Sequence, residues 1–139
     1  MERHKKVAAD LKVRFRDIDA MGHVNNAVFF TFFEEGRGAF LERVFGIIDP
    51  ARYPFILARM SCDYRKPVKP GDRIAVHVWI GKVGGKSFVF KYDIVDQKDN
   101  EKVYATGEST MVLFDYKENR TVPIHQAFLD KIRDYCETL

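Results

Sequence analysis

Cysteine is scarce in this sequence, with only Cys62 and Cys136 in a chain of 139 residues. They are too few and too far apart for a disulfide framework or a cysteine-based metal knuckle, which favours a reducing compartment. A long apolar run is also missing: no stretch reaches about 18 apolar residues, and Met1–Asp10 is charged, unlike a signal peptide. We therefore expect a cytoplasmic protein with no membrane partner.

A strong excess of one charge is absent as well. The chain has 23 basic and 20 acidic side chains, a net charge of +3, and they are spread along its length. This pattern gives no footprint for nucleic acid, which we do not expect as a partner. The sequence also lacks a G-x-S-x-G serine elbow, a G-x-G-x-x-G turn and a P-loop, so neither that serine chemistry nor a nucleotide cofactor is supported.

Aromatic residues are abundant instead. Twelve Phe and six Tyr contribute to an aromatic share of 14%, within a hydrophobic share of 46% that is typical of a folded protein. A bulky core, a buried subunit interface and an apolar ligand slot would each use such residues, and composition leaves the three open. The length allows one domain, which we assign to residues 1–139.

The first third of the chain predicts one strand and one long helix. Apolar and charged residues alternate within Val7–Arg16, which is the period of a half-buried strand. The apolar stretch Ala27–Phe45 has the length of a helix, with Asn25 or Asn26 as its N-cap and Gly46 as its end. Because apolar side chains cover much of its circumference, we expect this helix to be deeply enclosed.

The remainder of the chain predicts strands separated by turn signals. These strands are Phe55–Arg65, Arg73–Lys82, Ser87–Asp96 and Val103–Tyr116, and a helical spacing follows from Ile124. We predict an α+β fold in which an antiparallel five-stranded sheet wraps around one long central helix, with a short C-terminal helix. Such a sheet exposes many apolar residues unless a partner covers it, so we infer at least a dimer.

The densest cluster of reactive side chains lies in Asp17–Asn26, between the predicted strand and helix. Unpaired amides at a helix N-terminus can stabilise an oxyanion, and a nearby carboxylate can attack a carbonyl or activate water. Gly22 would let a ligand approach the backbone. Asp17, Asp19 and His23 also offer metal ligands, but no fourth partner is evident, so we predict no metal.

The residues of this loop resemble a known family. The similarity lies in Arg16-Asp17-x-Asp19-x-x-Gly22-His23-Val24-Asn25-Asn26-x-x-Phe29, in Phe32-x-Glu34-x-x-Arg37, and downstream in Tyr64-x-x-Pro67-x-x-x-Gly71-Asp72 and Ala105-x-Gly107. This pattern is similar to the signature of hot-dog-fold acyl-CoA thioesterases of the 4-hydroxybenzoyl-CoA thioesterase-like branch. The resemblance spans nearly the whole chain. It implies a hot-dog fold, thioester hydrolysis without a cofactor, and a homodimer or homotetramer with the active site at a subunit interface.

The resemblance also implies roles for single residues. Asp19 takes the place of the catalytic aspartate, as nucleophile or general base. Asn26 falls at the helix start, where its backbone N–H would hold the carbonyl oxygen; many relatives have His there, so an imidazole role is excluded at this position. His23 would orient Asp19 or assist water. Phe29 stands where the family usually has Tyr and keeps the ring without the hydroxyl.

The predicted substrate is a fatty or aromatic acyl-CoA, and acyl-carrier protein remains open as the carrier. Gly22 and Phe29 are candidate substrate contacts, and Lys82 and Lys86 are candidates for the phosphates of coenzyme A. Arg65, Lys66 and Lys69 are alternatives for the same phosphates.

Other functions and plainer roles compete with this hypothesis. The chain could bind acyl-CoA or acyl-carrier protein without hydrolysis, or act as a hot-dog hydratase, although the usual Asp/His arrangement of that family is not seen. Asp17 fits a structural carboxylate better than a catalytic one. Glu34 and Arg37 fit a structural ion pair on one face of the helix, or ion pairs with Arg16 and Asp17.

Overall fold

An antiparallel sheet curled around one helix forms the protein, in a computed structural model that describes residues 4–139. The strands are β1 (Val7–Leu11), β2 (Phe55–Tyr64), β3 (Ile74–Val83), β4 (Ser87–Asp96), β5 (Val103–Asp115) and β6 (Arg120–Thr121). The helices are α1 (Val28–Phe40), which continues as a π-helical turn over Leu41–Phe45, and α2 (Gln126–Ile132). Single 3₁₀ turns lie at Phe15–Asp17, Pro50–Arg52 and Arg133–Tyr135.

The strands are ordered β1-β3-β4-β5-β2, and the two-residue β6 pairs with the end of β5. All of these pairings are antiparallel. This arrangement confirms the predicted five-stranded sheet, the central helix and the short terminal helix. Strand β6 was not predicted, because two residues are too few to show an alternating pattern.

Helix α1 packs closely on the sheet because its inner face is aromatic with a glycine between the rings. Phe32, Phe33 and Phe40 are buried, and the ring of Phe33 stacks on Tyr92 with centroids 4.6 Å apart. A Cβ on Gly36 would lie 2.7 Å from a methyl group of Val78, so this approach requires glycine. Full burial of one such Phe side chain contributes about 1.5–3 kcal/mol to stability, so the rings of α1 contribute substantially to the core.

One charged side chain is buried between α1 and the sheet. Arg37 donates a hydrogen bond to the Tyr92 hydroxyl at 3.2 Å, and that hydroxyl also contacts the hydroxyl of Ser109. Its guanidinium lies 3.8 Å from the exposed carboxylate of Glu34. The predicted Glu34–Arg37 ion pair is confirmed, and Arg37 is held by partners on both sides, as a buried charge must be.

Strand β1 is shorter than the alternation predicted. It ends at Leu11, and Phe15 is 97% exposed within a 3₁₀ turn. The cause is Asp17, whose carboxylate accepts hydrogen bonds from the Arg14 amide at 2.8 Å and from its guanidinium at 3.2 Å. These bonds close a tight turn that an extended strand cannot make, so the prediction of a strand up to Arg16 was wrong.

The start of α1 also differs from the prediction. Its N-cap is Ala27, without a side-chain cap, and neither Asn25 nor Asn26 has that position. Asn25 instead accepts a hydrogen bond from the Ala27 amide through Oδ1 at 2.8 Å, forming an Asx turn just before the helix.

At its other end the long helix stops at Gly46, which has φ +69°, as predicted. Helix α2 begins at Gln126, capped by the ring of His125, two residues later than expected.

The two ends of the described chain meet on the sheet face opposite α1. We call this group the Trp79 clasp, formed by His4, Lys6, Trp79, Lys91 and Glu137. The ring of His4 stacks on the indole with centroids 5.8 Å apart, and the Lys6 ammonium lies 4.2 Å from the ring centroid. The indole N–H donates to Glu137 at 3.0 Å, and Glu137 also pairs with Lys91 at 3.3 Å. These contacts fasten both ends of the described chain to β3 and β4.

Between residues 4 and 139, none of the helices is long and apolar enough to span a lipid bilayer.

Candidate active site

The loop between β1 and α1 is shaped by a few main-chain bonds. We call residues 18–26 the Asp19 loop. The Asp19 amide donates to the His23 carbonyl at 2.9 Å, and the Gly22 amide donates to the Asp19 carbonyl at 3.0 Å. Gly22 has φ +84°, a left-handed conformation that suits glycine. A further bond from the Val24 amide to the Val68 carbonyl, 2.8 Å long, ties the loop to the segment after β2.

The carboxylate of Asp19 is only partly engaged. Its Oδ1 accepts a hydrogen bond from the Met21 amide at 2.9 Å, which fixes the side chain in an Asx turn. Its other oxygen accepts no hydrogen bond from residues 4–139. Asp19 is half-buried, so this oxygen can meet both water and a bound ligand. The arrangement leaves a fixed carboxylate with one oxygen available for chemistry.

The turn that leads into α1 leaves one amide available. The Val28 amide donates to the Asn25 carbonyl at 2.9 Å, and the Ala27 amide is satisfied by the Asn25 side chain. The N–H of Asn26 finds no acceptor in the described part of the chain. An unpaired amide at a helix N-terminus carries partial positive charge and suits a developing oxyanion.

Asp19 and the start of α1 line one open cavity of about 340 Å³. Its lining residues are Asp19, Met21, His23, Val24, Asn25, Asn26, Phe29, Tyr64, Arg65, Lys66 and Pro67. Val24 and Phe29 are buried and give the cavity an apolar floor, whereas Arg65 and Lys66 are exposed and add positive charge. The cavity therefore joins a carboxylate, an apolar surface and two cationic side chains.

The structure brings together most of the predicted site residues. Asp19, His23, Asn26 and Phe29 all line the cavity, and Gly22 shapes the loop without lining it. His23 and Asp19 are joined through their main chains, and no hydrogen bond links their side chains within residues 4–139. The role of the His23 ring stays a prediction.

Lys82 and Lys86 lie far from this cavity in the same chain. Tyr64 of β2 lines the cavity and pairs with Ala105 of β5. Ala105 pairs with Ile94 of β4, and Ile94 pairs with Val76 of β3, so Val76 is level with Tyr64 across the sheet. Lys82 is six residues further along β3 than Val76, roughly 20 Å at the rise of a strand. The Lys86 ammonium donates to the Thr121 hydroxyl at 3.4 Å. One chain alone does not place these two lysines beside Asp19.

Tyr64 lines this cavity and was not among the predicted site residues. Its hydroxyl donates to the Asn26 carbonyl at 2.7 Å, and its ring packs edge-on against Phe29 with centroids 5.0 Å apart. The spacing Tyr64-x-x-Pro67 was visible in the sequence, but the contact with a residue 38 positions earlier was not.

Across residues 4–139, no three or more His, Cys, Asp or Glu side chains are grouped so that they could hold a metal ion.

A family model and a curated relative match most of the chain. The model of the thioesterase-like superfamily matches residues 13–132. The chain is 25% identical over 124 residues to FadM of Escherichia coli, a long-chain acyl-CoA thioesterase, covering 88% of this chain and 93% of that protein. Both matches cover so much of the chain that they include the Asp19 loop and the whole of α1.

Solved structures share the fold. A thioesterase from Thermus thermophilus, solved with coenzyme A and zinc, is 32% identical with a TM-score of 0.81, covering 96% of this chain and 95% of that one. A predicted thioesterase from Bacillus stearothermophilus is 25% identical with a TM-score of 0.85, covering 95% and 97%. This chain therefore belongs to the thioesterase-like superfamily, with the hot-dog fold and the thioester-hydrolase class that the Asp19 loop predicted.

Proposed function

We propose that this protein hydrolyses an acyl-CoA to the free acid and coenzyme A, with Asp19 as the central catalytic residue. The observation that carries the proposal is the shared cavity, which is lined by Asp19, with its available carboxylate oxygen, and by Asn26, whose N–H has no acceptor among residues 4–139. The similarity to a long-chain acyl-CoA thioesterase and to a thioesterase that binds coenzyme A supports the acyl group and the carrier.

Asp19 has two chemically complete routes. As nucleophile, its carboxylate attacks the thioester carbonyl carbon, the C–S bond breaks, and water then hydrolyses the acyl–aspartyl anhydride. As general base, it takes a proton from a water molecule that attacks the same carbon. In both routes coenzyme A leaves as a thiolate, which needs little acid assistance because a thiol has a pKa near 8.5.

The amide of Asn26 would stabilise the negative charge that forms on the carbonyl oxygen during either route. This donor is fixed by the turn that leads into α1 and therefore needs no reorganisation when the charge develops. The Asn26 side chain is not needed for this role, because the hydrogen bond comes from the main chain.

The lining of the cavity suggests how the substrate lies in it. The acyl group, fatty or aromatic, would contact Val24 and Phe29, and Arg65 and Lys66, which line the same cavity, would meet the phosphates of coenzyme A. Lys82 and Lys86 remain candidates for the phosphates, and in a single chain they lie at the other end of the sheet. Two double variants distinguish these candidates, one with Arg65 and Lys66 changed to Ala and one with Lys82 and Lys86 changed to Ala. The pair whose loss raises KM is the pair that binds the phosphates.

A homodimer through β2 would extend the sheet across two chains. In the described part of the chain β2 is the last strand of the sheet, ten residues long, whereas the opposite edge β1 has five. Exposed apolar side chains lie along this edge, Leu57 among them, together with Phe30 on the neighbouring face of α1. A long apolar edge strand is stable when a second strand covers it.

Light scattering on Leu57→Glu tests the dimer. We expect this variant to have half the solution mass of the wild type, because it places a charge in the proposed interface. Ile48→Glu is the control, since Ile48 is also apolar and is more exposed than Leu57, but lies outside β2. An unchanged mass for Leu57→Glu would contradict the β2 interface.

Release of free thiol from a panel of acyl-CoAs tests the activity. The panel should include aromatic, short-chain and long-chain acyl groups and one 2-enoyl-CoA. We expect thiol release with at least one saturated or aromatic member. Binding of acyl-CoA without thiol release would favour a binding protein, and consumption of the enoyl-CoA without thiol release would favour a hydratase; either would refute the proposal.

A further inference from the structure

We propose that Tyr64 is a positioning residue for this reaction: its hydroxyl holds the peptide just before α1 so that the Asn26 N–H keeps the place where it meets the substrate. The inference rests on the proposed function and extends it to a residue that does not itself react. Tyr64 ends β2, so it belongs to the sheet, and Asn26 belongs to the helix start.

Four hydrogen bonds hold the two peptide groups that flank the Asn26 α-carbon, and the longest of them comes from the Phe29 amide. The peptide before it is held through the Asn25 carbonyl, which accepts from the Val28 amide at 2.9 Å. The peptide after it is held through the Ala27 amide, which donates to Asn25 Oδ1, and through the Asn26 carbonyl, which accepts from Tyr64 at 2.7 Å. With both peptide planes fixed, the direction of the Asn26 N–H is fixed as well.

Tyr64 makes the shorter of the two bonds to the Asn26 carbonyl. The other comes from the Phe29 amide inside the helix and is 3.3 Å long. A first turn held only by a bond of that length frays readily. The edge-on contact between the rings of Tyr64 and Phe29 keeps the phenol beside the start of the helix. The hydroxyl therefore ties the helix start to the sheet, at the point where the oxyanion donor lies.

The hydroxyl acts by position and does not titrate in the working range. Burial, followed by the nearby Cys62 thiol, raises the pKa of Tyr64 above its usual value. The phenol thus stays protonated and remains a donor at neutral and mildly alkaline pH. Losing it should lower the rate equally at every pH without changing the shape of the pH profile.

Tyr116 provides a matched control within the same molecule. Its hydroxyl donates to the Phe55 carbonyl at 3.0 Å, at the opposite end of β2, and it lies outside the Asp19 cavity. Tyr64 is 42% exposed and Tyr116 is 59% exposed, so both hydroxyls donate to a main-chain carbonyl from a partly exposed ring. Replacing either by Phe deletes one hydrogen bond and keeps the ring.

The experiment compares Tyr64→Phe, Tyr116→Phe and the wild type in thermal unfolding and in steady-state thiol release. We expect both variants to lose a similar small amount of stability. We expect only Tyr64→Phe to lower kcat, by about tenfold, because a small misplacement of a catalytic donor has a large effect on rate. Its KM should stay within about twofold of the wild-type value and its pH profile should keep its shape.

Each other outcome overturns the inference in a distinct way. An unchanged kcat in Tyr64→Phe would show that the bond only stabilises the fold, and a raised KM with unchanged kcat would show a substrate contact. An equal loss of kcat in Tyr116→Phe would show a general effect of lost stability. A wild type that releases no thiol would refute the proposed function, and the inference with it.

A second variant carries the test if Tyr64→Phe does not fold. Asn25→Ala removes the bond that holds the same peptide from its other side, the one accepted by Asn25 Oδ1. We expect it to lower kcat at constant KM in the same way. A wild-type kcat in a folded Asn25→Ala would overturn the inference.

Discussion

The Asp19 loop and the Trp79 clasp differ in how completely their polar groups are paired. In the clasp, the indole N–H and both carboxylate oxygens of Glu137 have partners, and cationic or aromatic groups cover the Trp79 ring. In the loop, one oxygen of Asp19 and the N–H of Asn26 have none among residues 4–139. Paired groups stabilise the fold, whereas groups left unpaired beside a cavity are available to a substrate.

The same contrast exists between two carboxylates of one segment. Asp17 is 2% exposed, and among residues 4–139 its carboxylate accepts hydrogen bonds only from Arg14, which it holds in a turn. Asp19, two residues later, is half-buried and lines the cavity. We infer that Asp17 serves folding and that Asp19 serves chemistry, although sequence position alone does not distinguish them.

Asp17→Asn should have the largest effect on stability. It removes a buried charge that accepts hydrogen bonds from Arg14, and we expect a loss of about 2–3 kcal/mol, less than for a fully buried pair because Arg14 reaches solvent. Urea unfolding measures this loss. The kcat of the folded variant should change little. A variant of wild-type stability that has lost its activity would reverse the roles that we assign to Asp17 and Asp19.

Gly22→Ala should have an intermediate effect, confined to the loop. A side chain at φ +84° costs about 1–2 kcal/mol, and a Cβ there would meet nothing within 4 Å, so the cost is backbone strain alone. Thermal unfolding should show this loss, accompanied by a lower kcat. Gly22→Asn is the matched control, because Asn tolerates left-handed backbone, and it should lose less. Equal losses in Gly22→Ala and Gly22→Asn would contradict a backbone origin.

Glu137→Gln should have the smallest effect, a loss of about 1 kcal/mol at neutral pH with kcat unchanged. Burial alone would raise the pKa of Glu137, but hydrogen bonds from Trp79 and Lys91 outweigh it and hold that pKa below its usual value. The carboxylate therefore adds stability above the unfolded pKa and loses it as the pH falls through the lower folded pKa.

Urea titrations followed by fluorescence of the single Trp measure this effect. Between about pH 5 and pH 3 the wild type should lose more stability than Glu137→Gln, since the amide does not titrate. Parallel curves for the two proteins over that range would show that Glu137 does not contribute through its charge.

Most of the fold could be predicted because its signals are local. The alternation in β3 and β4, the long apolar stretch of α1 and the glycine at its end each reflect one element and its burial. The errors fall where side chains form turns with the backbone. A hydrogen bond to the Asp17 side chain ends the first strand early, and a hydrogen bond to the Asn25 side chain shifts the start of the helix. Neither the alternation of residues nor their capping preference reveals such side-chain to main-chain bonds.

The candidate site was predictable in its loop and not in its surroundings. Asp19, His23 and Asn26 follow one another closely, so their spacing carries the pattern. Tyr64 reaches the site only because β2 ends beside the start of α1, and that is a long-range contact. The distance of Lys82 from the cavity is likewise set by strand register, which the sequence does not specify to the residue.

Thiol release by Asp19→Asn, measured on the best substrate of the panel, tests the central claim most directly. Asn keeps the shape of the side chain and its acceptor oxygen for the Met21 amide, but it is neither a carboxylate nucleophile nor a base. We predict a loss of kcat of about 100-fold or more, about 2.7 kcal/mol of transition-state stabilisation, at unchanged stability. Activity equal to that of the wild type would contradict the assignment of Asp19 as the catalytic residue.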